Sequence, residues 1–221
     1  MLSWAVLAVV VVAANGCCAP DRWSAYQLKA GLELIKGSPK TQVGISKVYH
    51  DAASERSAEV IKYAAEGEKN GVKFISDHRN KRLYVINLKT NACTVRDVDK
   101  PFRRFCTDSF KYLYDIKLGY GDNSLRARGY YKEFGSKDGK YNVGHVYLVS
   151  DACIPLQGVN FGLGKLDFLT STGWGSFSSE FDDSVFNPPS TCPPLSCSQK
   201  KYDVNLFDII RNNGPLKYGQ L

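Results

Sequence analysis

Seven cysteines, at positions 17, 18, 93, 106, 153, 192 and 197, are the side chains of this sequence best suited to forming bonds. A zinc site would pair them at short spacings. Only Cys192 and Cys197 stand close, and no second pair lies at finger distance. His50, His78 and His145 are dispersed and read as structural or surface residues. Wide cysteine spacing behind an apolar leader reads instead as a disulfide framework made in an oxidising compartment. The count is odd, so one thiol is left free or pairs between molecules. Adjacent Cys17 and Cys18 are the expected place for it, because two neighbours do not easily reach two separate partners.

Enzyme motifs are absent from the sequence. It holds no GxSxG elbow, no HExxH helix and no CxxC pair. The stretch Gly158–Lys165 resembles a phosphate loop. It has one residue too many between Gly158 and Gly164, and Leu166 stands where a Ser or Thr would hold magnesium. It reads as a glycine-bearing strand. Asp51, Asp108 or Asp151 could orient a histidine only if the fold brought them together. The expectation is a protein that is not an enzyme.

Residues 2–14 are apolar and uncharged, too short to span a membrane, and no other apolar run approaches the needed length. With small Ala14 and Gly16 ahead of Cys17, residues 1–16 read as a secretory signal cut before Cys17. An uncleaved anchor and a lipid on Cys17 are the competing readings. Residues 17–221 then form a single domain, with no repeat, heptad or long linker. A hydrophobic content of 43% and an aromatic content of 12% can supply its core. The net charge of +7 is spread out, with small clusters at Arg79–Arg82 and Arg103-Arg104. Without a basic helix or an RNA-binding aromatic motif it argues against nucleic acid. It fits a solvated surface or weak attraction to anionic lipid or acidic glycan.

The elements that must position these groups are mostly strands. Tyr26, Leu28, Ala30, Leu32 and Leu34 alternate with more polar neighbours. So do Phe110, Tyr112, Tyr114, Ile116, Leu118 and Tyr120, and again Val143, His145 and Tyr147. Period two of this quality predicts a sheet with one buried face. Arg82–Thr90 adds Tyr84, Ile86 and Leu88 on one face. Turn chemistry at 68–71, 121–124 and 137–140 favours antiparallel neighbours. Residues 52–65 fit a short helix or a hairpin arm. Residues 203–212 fit a helix: Asp203 caps it, Val204, Phe207 and Ile210 share a face, and Asn213-Gly214-Pro215 stops it. Residues 186–199, rich in Pro, Ser and Cys, read as a stapled loop.

Three stretches carry a family resemblance: CCAPDRW (Cys17 to Trp23), SDACIPLQ (Ser150 to Gln157) and SVFNPPSTC (Ser184 to Cys192). Together they resemble the ependymin-related family of secreted extracellular glycoproteins. The resemblance covers most of residues 17–192, with only the cysteine-centred motifs specific. It implies a mainly β fold with a few short helices: curved antiparallel sheet, similar to bacterial lipoprotein carriers, around an apolar pocket. Phe110, Tyr112, Tyr114, Ile116, Tyr120, Tyr147 and Phe168 are then the pocket candidates.

The resemblance also implies the bridges Cys17–Cys153 and Cys93–Cys192. The family's third bridge lacks its upstream cysteine here, and Cys106 with Cys197 is the expected replacement. Calcium is implied too. No EF-hand loop is present, and Glu180, Asp182 and Asp183 form the densest acidic cluster, so they are the metal candidates. Expected partners are a lipid or other apolar ligand, extracellular matrix components and a second copy in a homodimer. The competing reading is a structural matrix or adhesion component without a ligand. The family's N-glycosylation is not expected, since the sequence holds no Asn-x-Ser or Asn-x-Thr.

Overall fold

The computed structural model describes residues 16–35, 38–62, 71–98, 100–135, 141–164 and 167–194. The leader, the turns at 68–71 and 137–140, Cys197 and the helix expected over 203–212 therefore lie outside or partly outside the described residues. Among the described residues no helix is long and apolar enough to cross a membrane.

Among the described residues, eleven strands make one curved, open antiparallel sheet. They are β1 (Arg22–Ile35), β2 (Ser38–Asp51), β3 (Arg56–Lys62), β4 (Gly71–Asp77), β5 (Arg82–Asn87), β6 (Cys93–Asp97), β7 (Lys111–Leu118), β8 (Leu125–Gly135), β9 (Tyr141–Ser150), β10 (Pro155–Gly164) and β11 (Phe168–Ser178). The order across the sheet is β6-β5-β4-β3-β2-β1-β11-β10-β9-β8-β7, two meanders joined where β1 pairs with β11. Two short 3₁₀ turns, Gly121–Asn123 and Asp183–Phe186, complete the regular structure of the described residues. The ambiguous segment 52–65 holds the strand β3 because both its edges are paired, to β2 and to β4.

The register sorts side chains onto two faces, named here for Trp23 and Leu28. On the Trp23 face, Trp23, Ala25 and Gln27 lie opposite His50, Val48 and Ser46. On the Leu28 face, Tyr26, Leu28 and Ala30 lie opposite Lys47, Ile45 and Val43. The faces differ in cover. The segment between β6 and β7 lies over the Trp23 face, where Phe102 packs on His50 and Phe105 and Phe110 pack on Tyr147. Gly158 permits this crowding, since a Cβ there would lie 2.6 Å from the Tyr147 ring. The phosphate-loop look of Gly158–Lys165 is thus explained by strand β10 and close ring packing.

The described residues after β11, 179–194, cover the Leu28 face over β2–β6. Phe181, Val185 and Phe186 pack on Tyr49, Ala58, Ile75, Tyr84 and Ile86. Burying Phe186 contributes roughly 2–3 kcal/mol. An ionic clip holds this segment: the buried Asp51 carboxylate accepts from Arg56, and Arg22 reaches both Asp51 and Asp183. Arg22 and Arg56 also lie over the rings of Phe181 and Phe186.

Three disulfides tie the loops to the sheet: Cys17–Cys153, Cys18–Cys106 and Cys93–Cys192. The first and third are the pairs the family motifs imply. The second corrects the expected Cys106–Cys197 bridge and the placing of the odd thiol at Cys17 or Cys18. The chain around Cys18 runs antiparallel to the chain around Cys106, with Ala19 N donating to Phe105 O and Thr107 N to Cys17 O. Successive residues of an extended chain point to opposite sides, so Cys17 and Cys18 reach different partners. Six of the seven cysteines are thereby used, and Cys197 has no cysteine left in the chain to pair with.

Candidate functional site

The pocket candidates do not converge. Leu113 is the extra residue of a bulge in β7, so Tyr112 and Tyr114, two apart in sequence, face opposite sides. Tyr112 packs edge-on against Tyr130, while the Tyr114 ring lies against Gly129. Strand β7 is a sheet edge, and Tyr112, Tyr114 and Ile116 are all exposed. Tyr120 sits beside the 121–123 turn, 93% exposed. Folding therefore does not hide the even-numbered face of 110–120, and these residues do not line one cavity. Tyr147 and Phe110 do meet on the Trp23 face, with Phe105 and Trp174. Phe168, opposite Gly162 and half-buried, starts β11.

The Trp23 face holds a cleft of ≈ 380 Å³ whose lining includes Trp23, Gln27, His50, Ser57, Glu59 and Phe74. Glu59 accepts from Lys29 at 2.6 Å and from Ser46 at 2.7 Å, so its carboxylate is already paired. Burial, followed by the nearby Arg104 charge, lowers the His50 pKa to about 4, leaving a neutral ring at physiological pH. That ring stacks on Trp23 and is held by Phe102, and its Nε2 has no partner. His78 donates to the Lys100 carbonyl, and His145 bonds Asn160. Each histidine is thus used in packing or structural bonds.

Of the calcium candidates, Asp183 is already paired with cations. Asp183 lies 2.8 Å from Arg22 and 3.7 Å from Arg56. Two guanidinium groups already neutralise it and would repel a metal ion. Asp182 accepts from the Ser184 amide, the end of a short turn, which holds its pKa below the usual carboxylate value. Glu180 is exposed. Among the described residues the one cluster of three possible donors is Cys18, Cys106 and Asp108, and both its sulfurs are in a bridge.

The feature with the strongest chemistry is the part of the Leu28 face that no other described residue covers. Leu28 lies opposite Ile45 on β2, Ala30 opposite Val43, and Leu32 opposite Leu169 on β11. Tyr26, Leu28, Leu32, Leu34, Val43, Ile45 and Leu169 are between 41% and 73% exposed. On β1 the opposite side chains, from Trp23 to Lys29, are buried or half-buried, so the exposure belongs to one face. Soluble monomers rarely leave so many large apolar groups side by side. Lys47, Lys62 and Lys73 border the patch on the same face, and none makes an ion pair among the described residues. Burial lowers the Lys73 pKa. The alternation of Tyr26–Leu34 was legible in sequence; that nothing described covers this part of the face was not.

The sequence pattern of the Ependymin family matches residues 66–192, a stretch that contains β4–β11 and the Cys93–Cys192 bridge. The chain belongs to the ependymin family. Its disulfides suit an oxidising, extracellular setting. No curated protein sequence matches this ependymin-family chain. Solved structures similar to it include a LolA superfamily protein from Nitrosomonas europaea, 10% identical, with a TM-score of 0.47 over 76% of this chain and 90% of that one. Another is an uncharacterized conserved protein from Thermus thermophilus, 13% identical, with a TM-score of 0.47 over 76% of this chain and 86% of that one.

Proposed function

We propose that this ependymin-family protein is secreted and non-catalytic, and that it binds a lipid-like ligand with an anionic head on the Leu28 face. The observation that carries the reading is the exposed apolar patch of β1, β2 and β11 bordered by Lys47, Lys62 and Lys73. Apolar side chains from three strands offer an acyl chain a surface on which to leave water, and ammonium groups at its border attract a carboxylate or phosphate. Each methylene buried contributes about 0.8 kcal/mol, so a long chain binds without any deep cavity. The same chemistry supports attachment to membrane or matrix surfaces of negative charge. Calcium takes no part in this reading. A homodimer would draw on the same face, since a second copy is an apolar partner of matching extent.

A native mass spectrum of the secreted protein tests the reading. A bound acyl ligand that leaves on mild activation is the expected result. Bare protein, even after incubation with excess long-chain fatty acid, would overturn it. A structural matrix component without a ligand would give the latter.

A further inference from the structure

We propose that a basic cleft at one end of the sheet binds the sulfate groups of an acidic glycan, at a site separate from the Leu28 face and independent of the ligand reading above. The cleft has a volume of ≈ 560 Å³, and its lining includes Glu55, His78, Lys81, Lys100, Phe102 and Arg104. It lies where the β2–β3 turn, the β4–β5 turn and the segment after β6 meet. Phe102 packs on His50, which places the cleft on the Trp23 side. Its size falls within the roughly 300–1,000 Å³ of small-ligand sites.

Charge is the first ground. Two basic clusters distant in sequence, Arg79–Arg82 and Arg103-Arg104, meet here through Lys81 and Arg104, and Lys100 joins them. Three cations thus share the lining with one carboxylate, that of Glu55. Lys81 and Lys100 are exposed, and neither makes an ion pair among the described residues. Arg104 lies 2.8 Å from Asp21, yet its charge still reaches past that partner. After burial, it is the Arg104 charge that lowers the His50 pKa most, ahead of the opposing pull of Asp51. The local field is positive.

Preorganisation is the second. The Lys81 carbonyl accepts from Val98 N at 3.0 Å, and the Lys100 carbonyl accepts from His78 Nδ1 at 2.8 Å. His78 N donates to the Glu55 carbonyl at 3.0 Å, and Arg104 Nε donates to the Ala19 carbonyl at 2.6 Å. These bonds tie the three loops to one another. Binding an anion then orders little beyond the lysine side chains.

The third ground selects the ligand. Among the described residues, none of the exposed large apolar side chains lines this cleft. A membrane-docking site would present such groups beside its cations. A flat bilayer also does not reach into a concavity, whereas a narrow sugar chain does. The three disulfides suit the extracellular space, where sulfated glycans are abundant polyanions.

The test is isothermal titration with a heparin tetrasaccharide at physiological salt. It compares the full-length protein with two full-length variants, Lys81→Glu/Lys100→Glu and Lys111→Glu/Lys117→Glu. The second makes the same change of net charge at exposed positions of β7, the opposite edge of the sheet from β6. The expected result is roughly tenfold weaker binding by the cleft variant, with the β7 variant within about twofold of the parent and all three urea midpoints equal. Equal weakening in both variants reduces the effect to net charge and overturns the site. No binding by the parent protein overturns it as well. A cleft variant that keeps its tetrasaccharide affinity but loses binding to phosphatidylglycerol vesicles assigns the cleft to a lipid headgroup and also overturns the proposal.

Discussion

Lys47 stands opposite Tyr26 across β2 and β1, its ammonium 5.3 Å from the centre of the tyrosine ring and equally far from Tyr49. The contact holds a positive charge at the edge of an apolar surface rather than out in solvent. Reversing charge there, with Lys47→Glu/Lys62→Glu, should weaken binding of a fatty acid about tenfold at low salt. It should leave binding of the matching alcohol nearly unchanged. Isothermal titration of both ligands at two salt concentrations checks this, and the difference between them should shrink as salt screens the charges.

The disulfide map should read Cys17–Cys153, Cys18–Cys106 and Cys93–Cys192. Non-reducing peptide mapping after alkylation should find Cys197 as the alkylated residue in monomeric protein. A peptide joining Cys106 to Cys197 would contradict the antiparallel pairing of the Cys18 and Cys106 segments.

Asp183 belongs to an ionic clip with Arg22 and Arg56. Asp183→Asn should cost about 1 kcal/mol of stability, the range of a partly exposed ion pair. Urea unfolding with and without calcium should show the same loss in both. A stability gain on adding calcium that vanishes in the variant would restore the metal reading.

Stability should fall as the solution is acidified from about pH 6.5 to about pH 4. His50 is neutral in the folded protein down to about pH 4, chiefly because burial disfavours its charged form. The unfolded chain takes up the proton near pH 6.5, so over this window the unfolded state binds more protons and stability drops with falling pH. Allowing for solvent screening, the loss is about 2 kcal/mol. His50→Gln should flatten this part of the profile. Below it, Asp51 takes over. Burial raises its pKa, but hydrogen bonds from Arg56 and Ser54 outweigh that and hold it below the usual carboxylate value. Its stabilisation is lost as pH falls through the carboxylate range.

Local periodicity made most of the sheet legible. Tyr26–Leu34 and Tyr141–Val149 alternate, and both are strands. The sequence could not decide 52–65, because β3 exists through its pairing with β2 and β4, a non-local cause. It misplaced the pocket for a related reason. Alternation says that two faces differ, but not which one a loop will cover. The covering segments, around Phe105 and Phe186, carry no periodic signal of their own. One bulged residue, Leu113, then sends Tyr112 and Tyr114 to opposite sides. The Cys18–Cys106 bridge was hidden because it depends on two irregular segments running antiparallel.

Fatty-acid titration of Ile45→Asp measures the central claim most directly. Ile45 is 56% exposed in the middle of the patch, opposite Leu28, so the substitution places a carboxylate there at little cost to folding. The account predicts at least tenfold weaker binding of a dansylated fatty acid, with an unchanged circular dichroism spectrum and urea midpoint. Equal affinity in the variant and the parent protein would contradict it.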